Sequence, residues 1–568
     1  MQDCVDGLNA ALDRIAAGDP AQAEAICRGL LDADPGNQAC LLLLGLALGA
    51  QGVTDQAQPL LLRVAHQRAS GQDPRYELAG VLVRLRCRPL VAALYRECLL
   101  RMPDDAKLRY CLAEFLHEAS ALREAALVLT EGLRRHPDWV SARQLLGIVY
   151  ADLGQFGAAI GQFRQVVTQA PEQAGGWGNL GVMLKIEGRF DAALKAYDRA
   201  IALAPQDARI RVNRTVALLH AGRLEEAWPE FEWRLALPEH RGMGVDRLMP
   251  PLSRLGDVTG RTVLVTHEDG FGDTVQFMRY VPLLAQRGAR LIAWVPKPLE
   301  RVLRSVAGVA EVLTGDIPFP PFDWHCPFVS LPRVFETSLA TIPNAVPYIS
   351  VDAESVQLWR ARLPTKGMLV GLVWAGQVRP HLPGFDVVDA RRSTKLATFA
   401  PLAAVEGARF ISLQIGPAAD QAKTPPSGLK LCDPMGGVAD FADTAAIIAN
   451  LDVVVSVDTS VAHLAGAMGK PVLLLDRYDN CWRWLSGRTD SPWYPTLRIF
   501  RQKRLYEWDP VIVRVVTALN AMAKAHAARA NRPYPPRRSR DAARCLERDR
   551  SREPVQGVFH LRIQSLLP

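Results

Sequence analysis

The chain has 568 residues, enough for two or three domains with full cores. Its formal charge of +8 is unevenly placed: residues 523–568 carry eleven Lys/Arg against four Asp/Glu. The remaining body is nearly neutral and holds no basic stripe for a phosphate backbone, so a nucleic-acid partner is not expected. Ten cysteines stand singly with no C-x-x-C pair, which argues against zinc ribbons and thiol redox motifs.

The first residues, MQDCVDGLNAALDRI, have acids where a signal peptide needs a basic end and an apolar stretch. The longest apolar run, about 40–50, is too short to span a bilayer. Together these predict a cytoplasmic protein without a membrane span.

From there to about residue 240 the chain repeats itself. Pro103, Pro137, Pro171 and Pro205 are 34 residues apart, and each closes an apolar helical pair. In the clearest unit Trp177, Leu180, Gly181, Leu184, Ala193, Tyr197 and Ala200 precede Pro205. The unit before carries Leu146, Gly147, Tyr150, Ala159, Phe163 and Pro171, and the one before that Leu112, Ala113, Leu116, Ala125 and Pro137. A degenerate unit follows with Leu218, Ala227, Phe231 and Pro238; upstream, Ala23 and Pro35 keep the frame while Pro74 is shifted. This is the tetratricopeptide signature, and it predicts about seven helix–turn–helix units over 1–240, stacked into a superhelix that holds a partner. Trp228, Trp233 and Leu237 are expected to end it against the first sheet of the half that follows.

After Pro238 the pattern changes to short β-rich runs alternating with helices. Runs at 261–266, 290–295, 311–314 and 322–330 predict one parallel sheet, and those at 368–376, 408–416, 451–457 and 470–475 a second. Helices are expected at about 274–286, 353–363, 398–405, 441–450 and 459–468. The expected domains are 258–352 and 366–525, doubly wound and facing one cleft, followed by a disordered basic tail at 531–568.

Two strand-to-helix turns carry the strongest chemistry. In HEDGFGDTVQF (267–277), Gly270 and Gly272 permit close backbone approach and Asp273 opens a helix. Asp273 reads equally well as a helix cap. The spacing is not G-x-G-x-x-G, so no dinucleotide fingerprint is present. In SVDTSVAHLAG (456–466), Asp458, Thr459 and Ser460 place hydroxyls and free amides at a helix N-terminus, a ready phosphate site, with His463 one turn along. The alternative is a Ser/Thr cap and a satisfied histidine.

These turns, with EWRLALP (232–238), FDWHCPFVSLP (322–332), GLVWAG (371–376) and CWRWLSGRTDSPWYP (481–495), resemble the heptosyltransferase-type glycosyltransferases of family 9. The resemblance covers about 258–520, and the whole chain resembles bacterial fusions of tetratricopeptide repeats to such a domain. It implies a GT-B fold, two Rossmann-like domains facing a cleft, and an inverting transfer from a nucleotide-sugar without a metal or other cofactor. It implies Asp273 as general base, Thr459 and Ser460 at the leaving diphosphate, Asp458 near the donor sugar and His463 at the ribose. Arg392 in ARRSTKL would meet the phosphates, and Gly270, Gly272, Gln276 and Trp374 fall within the segments assigned to the donor. The chain departs from the family at Asp269, where members usually carry Gln, and in a long loop at 376–393.

Three functions follow as expectations. The first is transfer to a protein or peptide acceptor held by the repeats; the second, transfer to a lipopolysaccharide or other glycan; the third, an inactive scaffold.

Overall fold

The computed structural model describes residues 2–67, 88–240, 247–377 and 385–530. The shifted Pro74 and the 531–568 tail lie outside the described residues. Helices pair in register from the start: Gln2–Ala16 with Pro20–Ala33, Gln38–Ala50 with Thr54–Gln67, and onward to Ala208–His220 with Leu224–Phe231. Each pair turns through one left-handed residue. Gly18, Gly52, Ser120, Gly154, Gly188 and Gly222 sit at φ between 59° and 81°, in steps that keep the 34-residue period. Close approach within a unit has the same periodicity. A Cβ on Gly147 would stand 2.7 Å from Phe163, and one on Gly181 2.7 Å from Tyr197. Ala23, Ala57, Ala125, Ala159, Ala193 and Ala227 are all fully buried on the facing helices.

The solenoid has two cores. Residues from Ala11 to Val149 pack among themselves. From Phe156 onward the repeat core is continuous with that of the second half, running through Trp228 into both sheets. The repeats meet that half edge-on through successive helix–helix turns. Leu505 packs on Gly154, Phe156 stacks on Tyr478 at 6.0 Å, and the Tyr478 hydroxyl lies 3.3 Å from Glu187. Further along, the Ser486 amide donates to the His220 carbonyl and Leu339 packs on Gly222. Trp228 is buried as expected, with its Nε1 donating to the Thr337 carbonyl at 2.8 Å. Trp233 stays half-buried, with the Arg211 guanidinium 4.4 Å from its ring.

Two parallel sheets follow. The first orders β3 (Val309–Leu313), β2 (Arg290–Trp294), β1 (Thr262–Thr266) and β4 (Trp324–Pro327). The second orders β10 (Leu497–Arg501), β9 (Val472–Asp476), β8 (Val453–Val457), β5 (Met368–Val373), β6 (Ala408–Ser412) and β7 (Leu431–Cys432). The pleat sorts their side chains: Val454 and Leu474 face the core shared with the repeats, whereas Val453, Val455, Leu473 and Leu475 face the other layer.

The expected helix at 274–286 is three pieces: Phe271–Phe277, a 3₁₀ turn Met278–Tyr280, and Val281–Ala285. Pro282 has no amide and crowds the carbonyl of Met278, which tightens the chain there. The expected helix at 398–405 is a 3₁₀ segment, Leu396–Ala404, containing Pro401. β7, β10 and the helix Asp509–Ala530 were not foreseen. That last helix is long and apolar enough to cross a bilayer by length and composition, but its Val511, Ile512, Val515 and Leu519 pack against the second sheet.

Candidate active site

β1 ends at Thr266, and the chain passes through His267–Gly270 into the Phe271–Phe277 helix. Gly270 is the extended residue before that helix, and Asp273 lies in its first turn. Asp273 Oδ2 accepts from the Gly270 amide at 3.3 Å, so the carboxylate does act as a cap. Its other oxygen, Oδ1, accepts from Arg483 Nη2 of the second domain. His267 supports the turn through Thr274 Oγ1 at 2.7 Å, and burial pulls its pKa down to about 4.

In the second domain β8 ends at Val457 and Thr459 precedes the helix Ser460–Ala467. The Thr459 side chain does not cap the helix; its hydroxyl lies 3.0 Å from Ser456 Oγ. The first amides, those of Ser460 and Val461, therefore have no helical acceptor and point out of the N-terminus. β8 lies beside β5, the strand from which the order runs outward in both directions, so this turn borders the crevice where such sheets bind ligands.

The two turns meet. A Cβ on Gly272 would stand 2.9 Å from His463 Cδ2 and 3.5 Å from the Ser460 Cα, so a glycine lets the two helices touch. His463 is only 3% exposed, stacks on Trp484 at 4.9 Å, and its Nδ1 is hydrogen-bonded to the Tyr494 hydroxyl at 2.9 Å. Burial pulls its pKa down to about 4, so the ring is neutral at pH 7. The structure gives it an interdomain position rather than an open face for a ribose. Arg279, one turn beyond Gln276, bolts the domains together. It donates to the Trp493 carbonyl at 2.5 Å and the Pro343 carbonyl at 3.1 Å, and is flanked by Tyr348 and Tyr494.

The remaining expected residues divide. Asp458, Thr459 and Ser460 are half-buried at the turn itself. Gln276 is fully buried, and neither atom of its amide has a partner among the described residues. An unpaired buried amide costs about 1–3 kcal/mol. Trp374 is a core residue of the second sheet, fully buried with its Nε1 donating to the Ala418 carbonyl, and leaves no ring face for a donor. Arg392 turns onto its own loop: it pairs with Asp389 at 2.9 Å, donates to the Gln377 carbonyl, and lies over Gly376. Asp269 has φ of 59° and turns towards His240 Nε2, 3.6 Å away.

Two features escaped the sequence reading. Glu268 is enclosed by a bidentate pair with Arg234 of the EWR segment, at 2.5 and 2.9 Å, which joins the end of the repeats to the base of the Asp273 turn. Arg483 reaches Asp273 from the CWRWLSGRTDSPWYP turn, to whose arginine the family resemblance gave no role. Among the described residues His240, Glu268 and Asp269 bring metal-type donors together, but both Glu268 oxygens face Arg234. Two depressions lie apart from the meeting of the turns. One of about 540 Å³ lies between His220, Arg189 and Ser486. Another of about 720 Å³ lies under Lys395, Thr398 and Tyr506.

Comparison with known proteins decides the class. Residues 418–504, which include the Ser460 turn and Arg483, match glycosyltransferase family 9 (heptosyltransferase), and residues 14–79 and 174–207 match tetratricopeptide repeats. This chain is a glycosyltransferase with tetratricopeptide repeats. The glycosyltransferase is 27% identical over 479 residues to Protein FlbA of Caulobacter vibrioides, covering 79% of this chain and 78% of that protein. Among solved structures it overlaps a family 9 glycosyl transferase from Veillonella parvula at 10% identity, over 47% of this chain and 99% of that one, with a TM-score of 0.35. MamA overlaps it at 18% identity, over 30% of this chain and 95% of that one, with a TM-score of 0.27. Its own architecture joins a helical repeat region to paired parallel sheets, the GT-B arrangement expected from its motifs.

Proposed function

We propose that this glycosyltransferase moves a sugar from a nucleotide-sugar to a protein or peptide acceptor held by the repeats, with inversion and without a metal ion. One observation carries the reading: a carboxylate of one domain, Asp273, stands where its helix touches the N-terminus of the Ser460–Ala467 helix of the other. Asp273 takes the proton of the acceptor hydroxyl as that oxygen attacks the anomeric carbon. The bond from that carbon to the diphosphate breaks on the opposite face. The growing negative charge is met by the Ser460 and Val461 amides and the Thr459 and Ser460 hydroxyls.

The polypeptide acceptor rests on the repeats, whose docked edge runs from Gly154 to Gly222 along the catalytic half. The test uses the full-length chain. A panel of UDP-, GDP-, ADP- and CMP-sugars in a thermal melt identifies the donor, since a ligand at ~100 times its dissociation constant adds about 2.7 kcal/mol. Asp273→Asn keeps that shift and lowers transfer to lysate proteins of the source cell by about two to four orders of magnitude. Transfer that persists in Asp273→Asn removes the base. Label found only in glycan fractions removes the polypeptide acceptor.

A further inference from the structure

Arg483 belongs to the second domain, in the turn after β9, yet its guanidinium crosses to Asp273 of the first. Both partners are largely shielded, with side chains 16% and 13% exposed. The carboxylate is thereby held at both ends, Oδ2 by the Gly270 amide and Oδ1 by Arg483.

Arg483 is itself held from the repeats. Its guanidinium lies 4.4 Å from the Trp482 ring centre. Trp482 is wedged edge-on against Trp228 at 5.9 Å and Phe231 at 6.1 Å, both on the last repeat helix, Leu224–Phe231. It also stacks on Phe277 at 6.5 Å, on the helix that carries Asp273. Trp228 is anchored in turn by its bond to the Thr337 carbonyl. Three consecutive residues thus address three parts of the molecule: Trp482 the repeats, Arg483 the carboxylate, and Trp484 the His463 ring.

We propose that Arg483 is a positioning residue for Asp273, and that the last repeat helix sets its position through Trp482. The proposal rests on the reading of Asp273 as general base. A charge-assisted bond to one carboxylate oxygen fixes the plane of the group and leaves a defined lone pair for the acceptor proton. Burial lowers the Arg483 pKa to about 10, so it stays cationic at neutral pH. The repeats then do more than hold an acceptor: a tilt of their last helix moves the base.

The test is a double-mutant cycle in the full-length chain. Turnover is read as nucleoside diphosphate released from the donor that gives the largest thermal shift, with lysate proteins as acceptors. Arg483→Gln is expected to lower turnover at least tenfold, while the donor dissociation constant stays within about twofold. Arg483→Lys restores part of the loss. The double variant Asp273→Asn/Arg483→Gln is no slower than Asp273→Asn alone, because the arginine acts through the carboxylate. Trp482→Ala falls about as far as Arg483→Gln, and Trp482→Phe, which keeps the wedge, retains turnover within about threefold. Additive losses in the double variant, or a tenfold loss of donor affinity in Arg483→Gln, would overturn the proposal. Normal turnover in Asp273→Asn would instead bring down the base reading. Normal turnover in Trp482→Ala would cut the link to the repeats.

Discussion

The upstream and downstream repeats share one local code and differ in what they are packed into. Upstream, from Ala11 to Val149, the buried apolar residues among the described ones form a cluster of their own. Downstream, from Phe156, the same helical pairs give their apolar residues to a core that continues into both sheets. The intra-unit packing is the same in both: Gly45 faces Leu61 upstream as Gly181 faces Tyr197 downstream. What differs is the cover on the turns between paired helices: Gly18 and Gly52 upstream face solvent, as Gly188 does downstream, whereas Leu505 covers Gly154 and Leu339 covers Gly222. A repeat array can therefore be a separable arm at one end and part of an enzyme at the other.

Truncation sharpens this contrast most. Removing residues 1–135 leaves the shared core whole, and the remaining body should melt as one transition within about 5 °C of the full chain, because only one helix face is newly exposed. Removing 1–205 strips Phe156, Phe163, Tyr197 and Glu187 from the joint and should abolish the cooperative transition. A soluble 206–568 fragment that melts like the full chain would break the comparison.

The second way concerns the joint at Arg234. Arg234→Ala leaves the Glu268 carboxylate buried and unpaired and should cost the downstream body about 3–5 kcal/mol by denaturant unfolding. The paired change Arg234→Met/Glu268→Met should recover most of that loss, since Glu232, the other partner of Arg234, keeps Arg333 at 3.4 Å. A cost below 1 kcal/mol for Arg234→Ala would show that the pair does not hold the repeats to the Asp273 turn.

The smallest effect is in pH. The downstream body buries neutral histidines. Burial holds His267 and His463 at about 4, and pushes His220 well below its usual range with nearby cations adding to the effect. Each unfolded imidazole takes a proton near 6.5, so stability from these groups is full above that value and falls as pH drops towards 4. For His463 alone the fall approaches about 3 kcal/mol, and His463→Phe should flatten that part of the stability profile. His117, on the upstream side, has the opposite sign. Its bond to Asp152 at 2.7 Å raises its pKa, so its contribution is full below 6.5 and is lost as pH rises through the raised value. Urea melts of the full chain and of its 1–135 deletion across pH 4–8 separate the two slopes. Parallel slopes would remove the distinction.

Much of the fold was readable in the residues because it is repetitive or local. The 34-residue prolines, the buried alanines of each second helix and the β-rich runs each follow from chain chemistry within a few tens of residues. The left-handed ladder from Gly18 to Gly222, with Ser120 as one rung, keeps the same period and strengthens the same reading. Errors fell where prolines re-tighten a helix, at Pro282 and Pro401, and at the short edge strand β7, which has too few residues to show a pattern.

The site was legible only as two turns. Asp273 and Thr459 could be named from a carboxylate and hydroxyls at helix starts, because such residues have few uses there. That the two helices touch at Gly272, that Arg392 and Trp374 are engaged elsewhere, and that Arg483 reaches the carboxylate depend on side chains brought together from separate domains. Composition and periodicity thus determined which segments are repeats and which are sheets, since each is set by neighbours along the chain. Which arginine faces Asp273, and which repeats belong to the catalytic body, were decided by tertiary packing. An arginine's charge says nothing of its direction until every surrounding element is in place.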